Sequence, residues 1–369
     1  GGPGACGPGT GEPTSSPSGS AADSPSPSAA SPSPSPSTSA LPAALAAKTW
    51  VTRGPVGSLG RAVAGTLDGR YHLTLPPAEV GLAAADFRVV SAIWRKGSDG
   101  SIESSTLIVR DLRQEGAEIA RFEIPDAIVD AVIRGDLVYL AGSSARRGVI
   151  SGVYAGSLAD GAVRVLIPPV AVPDAGAPGG SAATGFAVSP SGRTLAQAVC
   201  RSGRCTTQVL DLGTGQVREL PTNSAWPAWL SDTAVVVVDS SGFYGYELSG
   251  RLRWAYPDRP ISTGYVTSDG RRLVVQYEEH KDTAGGSAIS LVDLASGGER
   301  ILEKWDRLQP WPWLWADVSS DDLAVLLPSG VGPGGPAFAL EQGDGSFRAD
   351  LLDLETGTLT PGALLVTAQ

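Results

Sequence analysis

The chain has 369 residues and a formal net charge of −10, with 42 % hydrophobic and 18 % charged residues, 47 Gly, 29 Pro, nine Trp and no Met. That length can bury a large core, and an acidic balance without a basic stripe excludes nucleic acid and anionic membrane surfaces as main partners. No apolar run is long enough to span a bilayer as a helix. Without Met, the chain is expected to have lost an upstream segment, either a signal peptide or an N-terminal anchor.

Residues 1–47 hold ten of the 29 prolines, no aromatic residue, and Ser-Pro repeats from Ser31 to Ser37. Such a stretch buries too little apolar surface to offset its ordering entropy, so a disordered, partly extended stalk is expected. Its only charges are Glu12 and Asp23, which leaves −8 on residues 48–369, expected to form the folded domain from about Trp50 onward. Cys6 stands where a lipidated cysteine would belong. A lipobox, however, would place a Leu-like residue where Pro3 stands, so an unpaired thiol is the competing reading.

From Thr66 on, one short signature recurs: an apolar strand, an Asp-Leu-like pair, a small turn with Gly, and another apolar strand. Clear copies are Val209-Leu210-Asp211-Leu212, Leu291-Val292-Asp293-Leu294 and Leu351-Leu352-Asp353-Leu354. Asp111-Leu112, Glu247-Leu248, Ser157-Leu158 and Thr66-Leu67 fit the same frame, which gives seven copies about 36 to 60 residues apart. A second signature precedes most of them, as in Val188-Ser189-Pro190-Ser191-Gly192-Arg193 and Val266-Thr267-Ser268-Asp269-Gly270. Each reads as a strand, a tight polar turn and a hydrophobic strand.

On these residues, over roughly 85–360, the sequence resembles the WD40-like (PD40) repeats of TolB-type propellers. With its Ser/Pro-rich stalk it also resembles the extracytoplasmic halves of actinobacterial, high-GC membrane proteins and lipoproteins. The resemblance implies an all-β propeller. Seven four-stranded blades are expected, with six or eight as alternatives. The first copy has strands only at 50–53, 62–65 and 71–75. The apolar 363–367, with no blade of their own by sequence, are expected to close the ring as the inner strand of the first blade.

Cys200 and Cys205 flank Arg-Ser-Gly-Arg between two apolar strands, positions that lie opposite one another in a hairpin. A disulfide is expected, and with it an oxidising compartment. Zinc, the rival, needs further ligands and has no histidine nearby.

In a four-stranded blade with strands a to d, the a–b and c–d turns share one face of the disc. The b–c and d–a loops share the other. Here the first set is short and the second long, at 142–148, 169–181, 278–287, 304–312 and 328–347, so the second face is the candidate working surface. Its aromatic candidates are Trp226, Trp305, Trp311 and Trp313, which would stack on a sugar or hold a cation, or else pack between blades. Its charged candidates are Arg146, Arg147, Arg201, Arg204 and His280. The His280 cluster has no metal-ligand spacing, and no metal or other cofactor is expected.

No nucleophile motif flanks His72 or His280, Gly-x-Ser-x-Gly is absent, and no dinucleotide fingerprint occurs. The expected function is therefore a non-catalytic binding or sensor module, monomeric and displayed outside the membrane. It would engage an envelope protein or a cell-wall glycan through the long-loop face. The alternative is a propeller glycoside hydrolase or polysaccharide lyase with carboxylates at the channel mouth, chemistry that leaves no local signature.

Overall fold

The computed structural model describes residues 47, 49–51, 61–66, 68–98, 100–142, 148–175, 181–201, 204–220, 222, 226–239, 242–257, 261–266, 271–278, 287–305, 323–326, 330–332, 335–337, 346–353 and 359–367. All lie in the second of the two units into which the chain divides, 1–38 and 39–369.

Sheet 1 consists of β1 (Thr49–Val51), β2 (Val63–Thr66) and β3 (His72–Thr74). Sheet 2 follows as β4 (Val80–Ala85), β5 (Arg88–Lys96), β6 (Ile102–Asp111) and β7 (Ala117–Ile124). Sheet 3 starts with β8 (Ile128–Arg134) and β9 (Leu137–Gly142). The chain then forms β10 (Val149–Ile150), returns as β11 (Val153–Ser157) and β12 (Val163–Ile167), and forms β13 (Val170–Ala171), which pairs with β10 as a separate ribbon.

Sheet 4 is β14 (Ala182–Val188), β15 (Thr194–Arg201), β16 (Arg204–Asp211) and β17 (Val217–Leu220). Sheet 5 is β18 (Trp226–Ser231), β19 (Ala234–Asp239), β20 (Gly242–Glu247) and β21 (Leu252–Pro257). Sheet 6 is β22 (Ile261–Val266), β23 (Arg272–Glu278), β24 (Ser287–Asp293) and β25 (Glu299–Trp305). Last come β26 (Leu323–Leu326), a ribbon of β27 (Gly330–Gly332) and β28 (Gly335–Ala337), β29 (Ser346–Asp353) and β30 (Leu359–Thr367). Sheet 7 is ordered β26-β29-β30.

The second strands of sheets 2 to 5 (β5, β9, β15 and β19) are buried on both faces over most of their length, and successive residues feed two different cores. In β19, Val235 and Val237 pack with Ala196, Val209 and Leu220 of sheet 4, while Val236 packs with Leu273, Val275 and Val292 of sheet 6. In β9, Tyr139 and Ala141 join Phe186, Leu195 and Leu210 of sheet 4, while Val138 and Leu140 join Leu107 and Phe122 of sheet 2. This explains why the strands read as continuous apolar runs rather than alternating ones. Ring seats complete the fit: a Cβ on Gly156 would lie 2.7 Å from the Phe122 ring, and one on Gly245 would lie 2.4 Å from Trp254. Consecutive antiparallel meanders stacked face to face are the construction of a β-propeller.

The recurring Asp-Leu pair has a structural cause. Leu112, Leu158, Leu212, Leu248 and Leu294 donate their backbone N–H to the carbonyls of Phe87, Asp136, Arg193, Thr233 and Arg271 at 2.8–3.1 Å. Each such bond ties the c–d turn of a sheet to its a–b turn. The preceding aspartate closes the turn: Asp211 Oδ1 accepts from Gly213 N at 2.9 Å and Thr214 N at 2.8 Å, and Asp293 Oδ1 from Ala295 N at 3.0 Å and Ser296 N at 2.7 Å. Neighbouring turns are also linked, since Ser191 N donates to Asp232 Oδ1 at 2.9 Å and Arg88 reaches the Gly135 carbonyl.

These bonds set the acid response. The backbone N–H of Thr214 holds the Asp211 carboxyl below its usual range, that of Ser296 does so for Asp293, and the Arg113 guanidinium does so for Asp111. A carboxyl depressed in the folded state contributes stability above the unfolded value, and that stability is lost as pH falls through the folded one. The thermal midpoint is therefore expected to fall below about pH 4. Asp211→Asn/Asp293→Asn should flatten that fall; an identical pH profile in the variant would contradict this role.

The C-terminal expectation is corrected. Residues 364–367 pair with 346–349 along β29, so β30 is the outer strand of sheet 7 and not the inner strand of sheet 1. Pro361-Gly362 reads as a break in sequence. The strand instead absorbs it as an irregularity, with register shifting between Ala349 and Leu351, and continues.

Candidate functional site

The two ends of the stacked sheets are built differently. On the short-turn side the turns of sheets 2 to 6 are tied by the repeated backbone bonds just described. On the opposite face, the two long connections of sheet 3, expected from sequence to be irregular loops, pair with each other as the β10–β13 ribbon. The ribbon is locked by Gly148 N to Ala175 O and by Val172 N to Gly148 O, both at 2.9 Å. It has a small core of its own, in which Ile150 and Ala175 pack on Ala183 and Val199 of sheet 4.

Beside the ribbon stands the β15–β16 hairpin. Cys200 and Cys205 are cross-strand partners joined by a disulfide, as expected from sequence, with Cα atoms 3.8 Å apart. The next pair outward is Arg201 opposite Arg204, both exposed. Strand alternation fixes their side. Leu195 and Val199 face sheet 3, so Arg201 does too, and Arg204 shares that side with Leu210; the cysteines lie on the side toward sheet 5.

Beneath this edge the connection from sheet 2 to sheet 3 is held by a buried carboxylate. Asp126, 1 % exposed, accepts from Ala127 N at 2.8 Å on Oδ1, and from Gly152 N at 2.7 Å and the Tyr154 hydroxyl at 3.0 Å on Oδ2. Burial pushes the Tyr154 phenol up, reinforced by Asp126, so it stays a donor. Ser105 completes the knot, donating to the Asp126 carbonyl and accepting from Ile128 N, both at 2.8 Å. Gly152 has no room for a side chain, because a Cβ there would lie 2.5 Å from the Ile167 carbonyl.

A second buried carboxylate, Glu79, lies between sheets 1 and 2. It accepts from Arg110 Nη2 at 2.6 Å and from Ser91 Oγ at 2.5 Å. Sequence reading missed both carboxylates, since Pro125-Asp126 and Pro77-Ala78-Glu79 look like ordinary loop acids.

Of the residues singled out by sequence, Arg201, Arg204, Cys200 and Cys205 come together at one hairpin tip. Trp226 opens β18. Trp305 does not lie in a connecting loop: it ends the outer strand β25, paired opposite Ser287. Trp229, on the same strand as Trp226, is core, packed with Ala196 and Val235, and its Nε1 donates to the Ala187 carbonyl at 3.1 Å. Trp311, Trp313, Arg146, Arg147, His280 and Cys6 lie outside the described residues. Among the described residues no three His, Cys, Asp or Glu side chains are grouped to hold a metal ion, and no helix is long and apolar enough to cross a membrane.

No family model matches the chain, and no curated protein matches it. Solved structures do. One is a protein of Bacteroides uniformis provisionally designated a 6-phosphogluconolactonase, at 12 % identity over 88 % of this chain and 97 % of that one, with a TM-score of 0.54. Another is an oligogalacturonate lyase in complex with manganese, at 13 % identity over 85 % of each chain, with a TM-score of 0.51. TolB from Acinetobacter baumannii aligns at 14 % identity over 84 % of this chain and 76 % of that one, with a TM-score of 0.43. The chain is a β-propeller. At these identities the likeness concerns the fold, which hosts unrelated activities.

Proposed function

We propose that this propeller is a non-catalytic binding or sensor module displayed outside the membrane on the 1–47 stalk. Through the face of its b–c and d–a connections it engages an envelope protein or a cell-wall glycan. The observation that carries the reading is the asymmetry of the faces. A ribbon with its own core, a disulfide-clamped hairpin and an exposed arginine pair all sit on the long-loop edge of sheets 3 and 4, where the blade architecture requires none of them. The disulfide supports an oxidising compartment. The two buried carboxylates support binding over catalysis, because Arg110 and Ser91 engage Glu79, and Ala127, Gly152 and Tyr154 engage Asp126. Closure of the seven sheets into one ring belongs to the same reading.

The test is a pull-down from envelope extract with the full chain. It is run beside a Trp311→Ala/Trp313→Ala variant and a Arg193→Gln/Arg218→Gln control altered on the short-turn face. A partner held by the parent and the control but lost by the tryptophan variant is the expected result. Equal retention by all three, or retention by none, would overturn the assignment, and polysaccharide cleavage would be assayed instead.

A further inference from the structure

Arg201 and Arg204 are directly opposed across the hairpin, on the same side of the ribbon of strands, at its exposed tip. Like charges so placed repel. Several other arginines are matched with acids: Arg70 with Asp68, Arg88 with Asp136, Arg110 with Glu79, Arg121 with Glu118 and Arg251 with Glu247. Neither Arg201 nor Arg204 has a carboxylate partner among the described residues. The disulfide one step inward ties the two strands together despite this repulsion, so the two arginines are held on directly opposed backbone positions.

The surroundings narrow the ligand. Sheet 4 is a basic sector of an acidic chain, with Arg193, Arg201, Arg204 and Arg218 against Asp211 and Glu219 over 181–222. The arginine side of the hairpin faces the β10–β13 ribbon. Its exposed described residues are aliphatic, with Val170 at 45 %, and offer no ring for a sugar to stack on. We infer that Arg201 and Arg204 form a two-pronged clamp for carboxylates of an acidic polypeptide segment whose aliphatic residues rest on the ribbon. Two guanidiniums carried side by side on opposed backbone positions can each take a carboxylate of an extended strand by charge-assisted hydrogen bonds. The inference rests on the long-loop face being the working face and names its partner chemistry.

The experiment titrates the full chain with a fluorescein-labelled peptide alternating Glu and Val, and with its Gln-for-Glu counterpart. Saturable binding of the Glu peptide alone is expected, weakening as salt is raised. Arg201→Gln/Arg204→Gln should weaken it by at least about tenfold, the loss of roughly one charge-assisted bond. Arg193→Gln/Arg218→Gln, with the same change in net charge on the same sheet, should leave it unchanged. Equal weakening by both variants would mean diffuse charge attraction and overturn the clamp. No peptide binding, with an oligogalacturonate bound instead and lost in Arg201→Gln/Arg204→Gln, would overturn the polypeptide partner and leave the working face standing. If the envelope partner is lost with Trp311→Ala/Trp313→Ala but kept by Arg201→Gln/Arg204→Gln, the face holds and the clamp fails.

Discussion

Arg110→Met is expected to lower unfolding stability by about 3–5 kcal/mol, the cost of leaving a buried charge unmatched. Glu79 has a side chain only 2 % exposed, and Arg110 contacts both of its oxygens, Nη2 to Oε1 at 2.6 Å and Nε to Oε2 at 3.3 Å. Among the described residues Ser91 Oγ is the hydrogen-bond donor that would remain, and a hydroxyl carries no compensating charge. Methionine fills much of the arginine stem, so the loss reports the charge more than a cavity. The measurement is the urea midpoint of Arg110→Met, Glu79→Gln and the double variant. The double should recover a large part of the loss, because a neutral amide needs no guanidinium. Additive losses would show that the pair is not coupled.

Asp126→Ala should cost nearly as much, about 3 kcal/mol or more, because three buried donors lose their acceptor and each unsatisfied one costs roughly 1–3 kcal/mol. The donors are Ala127 N and Gly152 N, from two separate connections, and the hydroxyl of Tyr154 in β11. Tyr154→Phe in the Asp126→Ala background should return part of the loss by removing one stranded donor. The amide protons of Gly152 and Val153 should exchange faster in Asp126→Ala than those of Val209 in sheet 4. Uniform acceleration across the domain would show that Asp126 holds the whole fold rather than this edge.

Much of this fold can be read from residue order. The Asp-Leu pair recurs because Leu N–H and Asp carboxylate close the same two turns in sheet after sheet, a local requirement that leaves a local trace. The cysteine pair was legible for the same reason, being five residues apart across one hairpin. What was not legible depends on contacts between distant segments. The β10–β13 ribbon joins residues on either side of two intervening strands, and nothing in Val149-Ile150 or Val170-Ala171 announces the other. Glu79 and Asp126 become buried only when Arg110 and Gly152 arrive from elsewhere in the chain. The arginine pair was visible as composition, but its common side follows from the cores that Val199 and Leu210 join.

Val235, Val236 and Val237 hand their side chains in turn to one neighbouring sheet and then the other. Energetically this makes the domain a chain of nearest-neighbour couplings. A cavity cut at Val236 weakens the joint with sheet 6, and one cut at Val237 the joint with sheet 4, while among the described residues sheet 2 shares no core with either. Changes in adjacent sheets should therefore fail to add, and changes two sheets apart should add within a few tenths of a kcal/mol. Disturbance then decays along the stack with the number of interfaces crossed, not with straight-line distance, which leaves the edge of sheets 3 and 4 free to change its loops without cost to the far side.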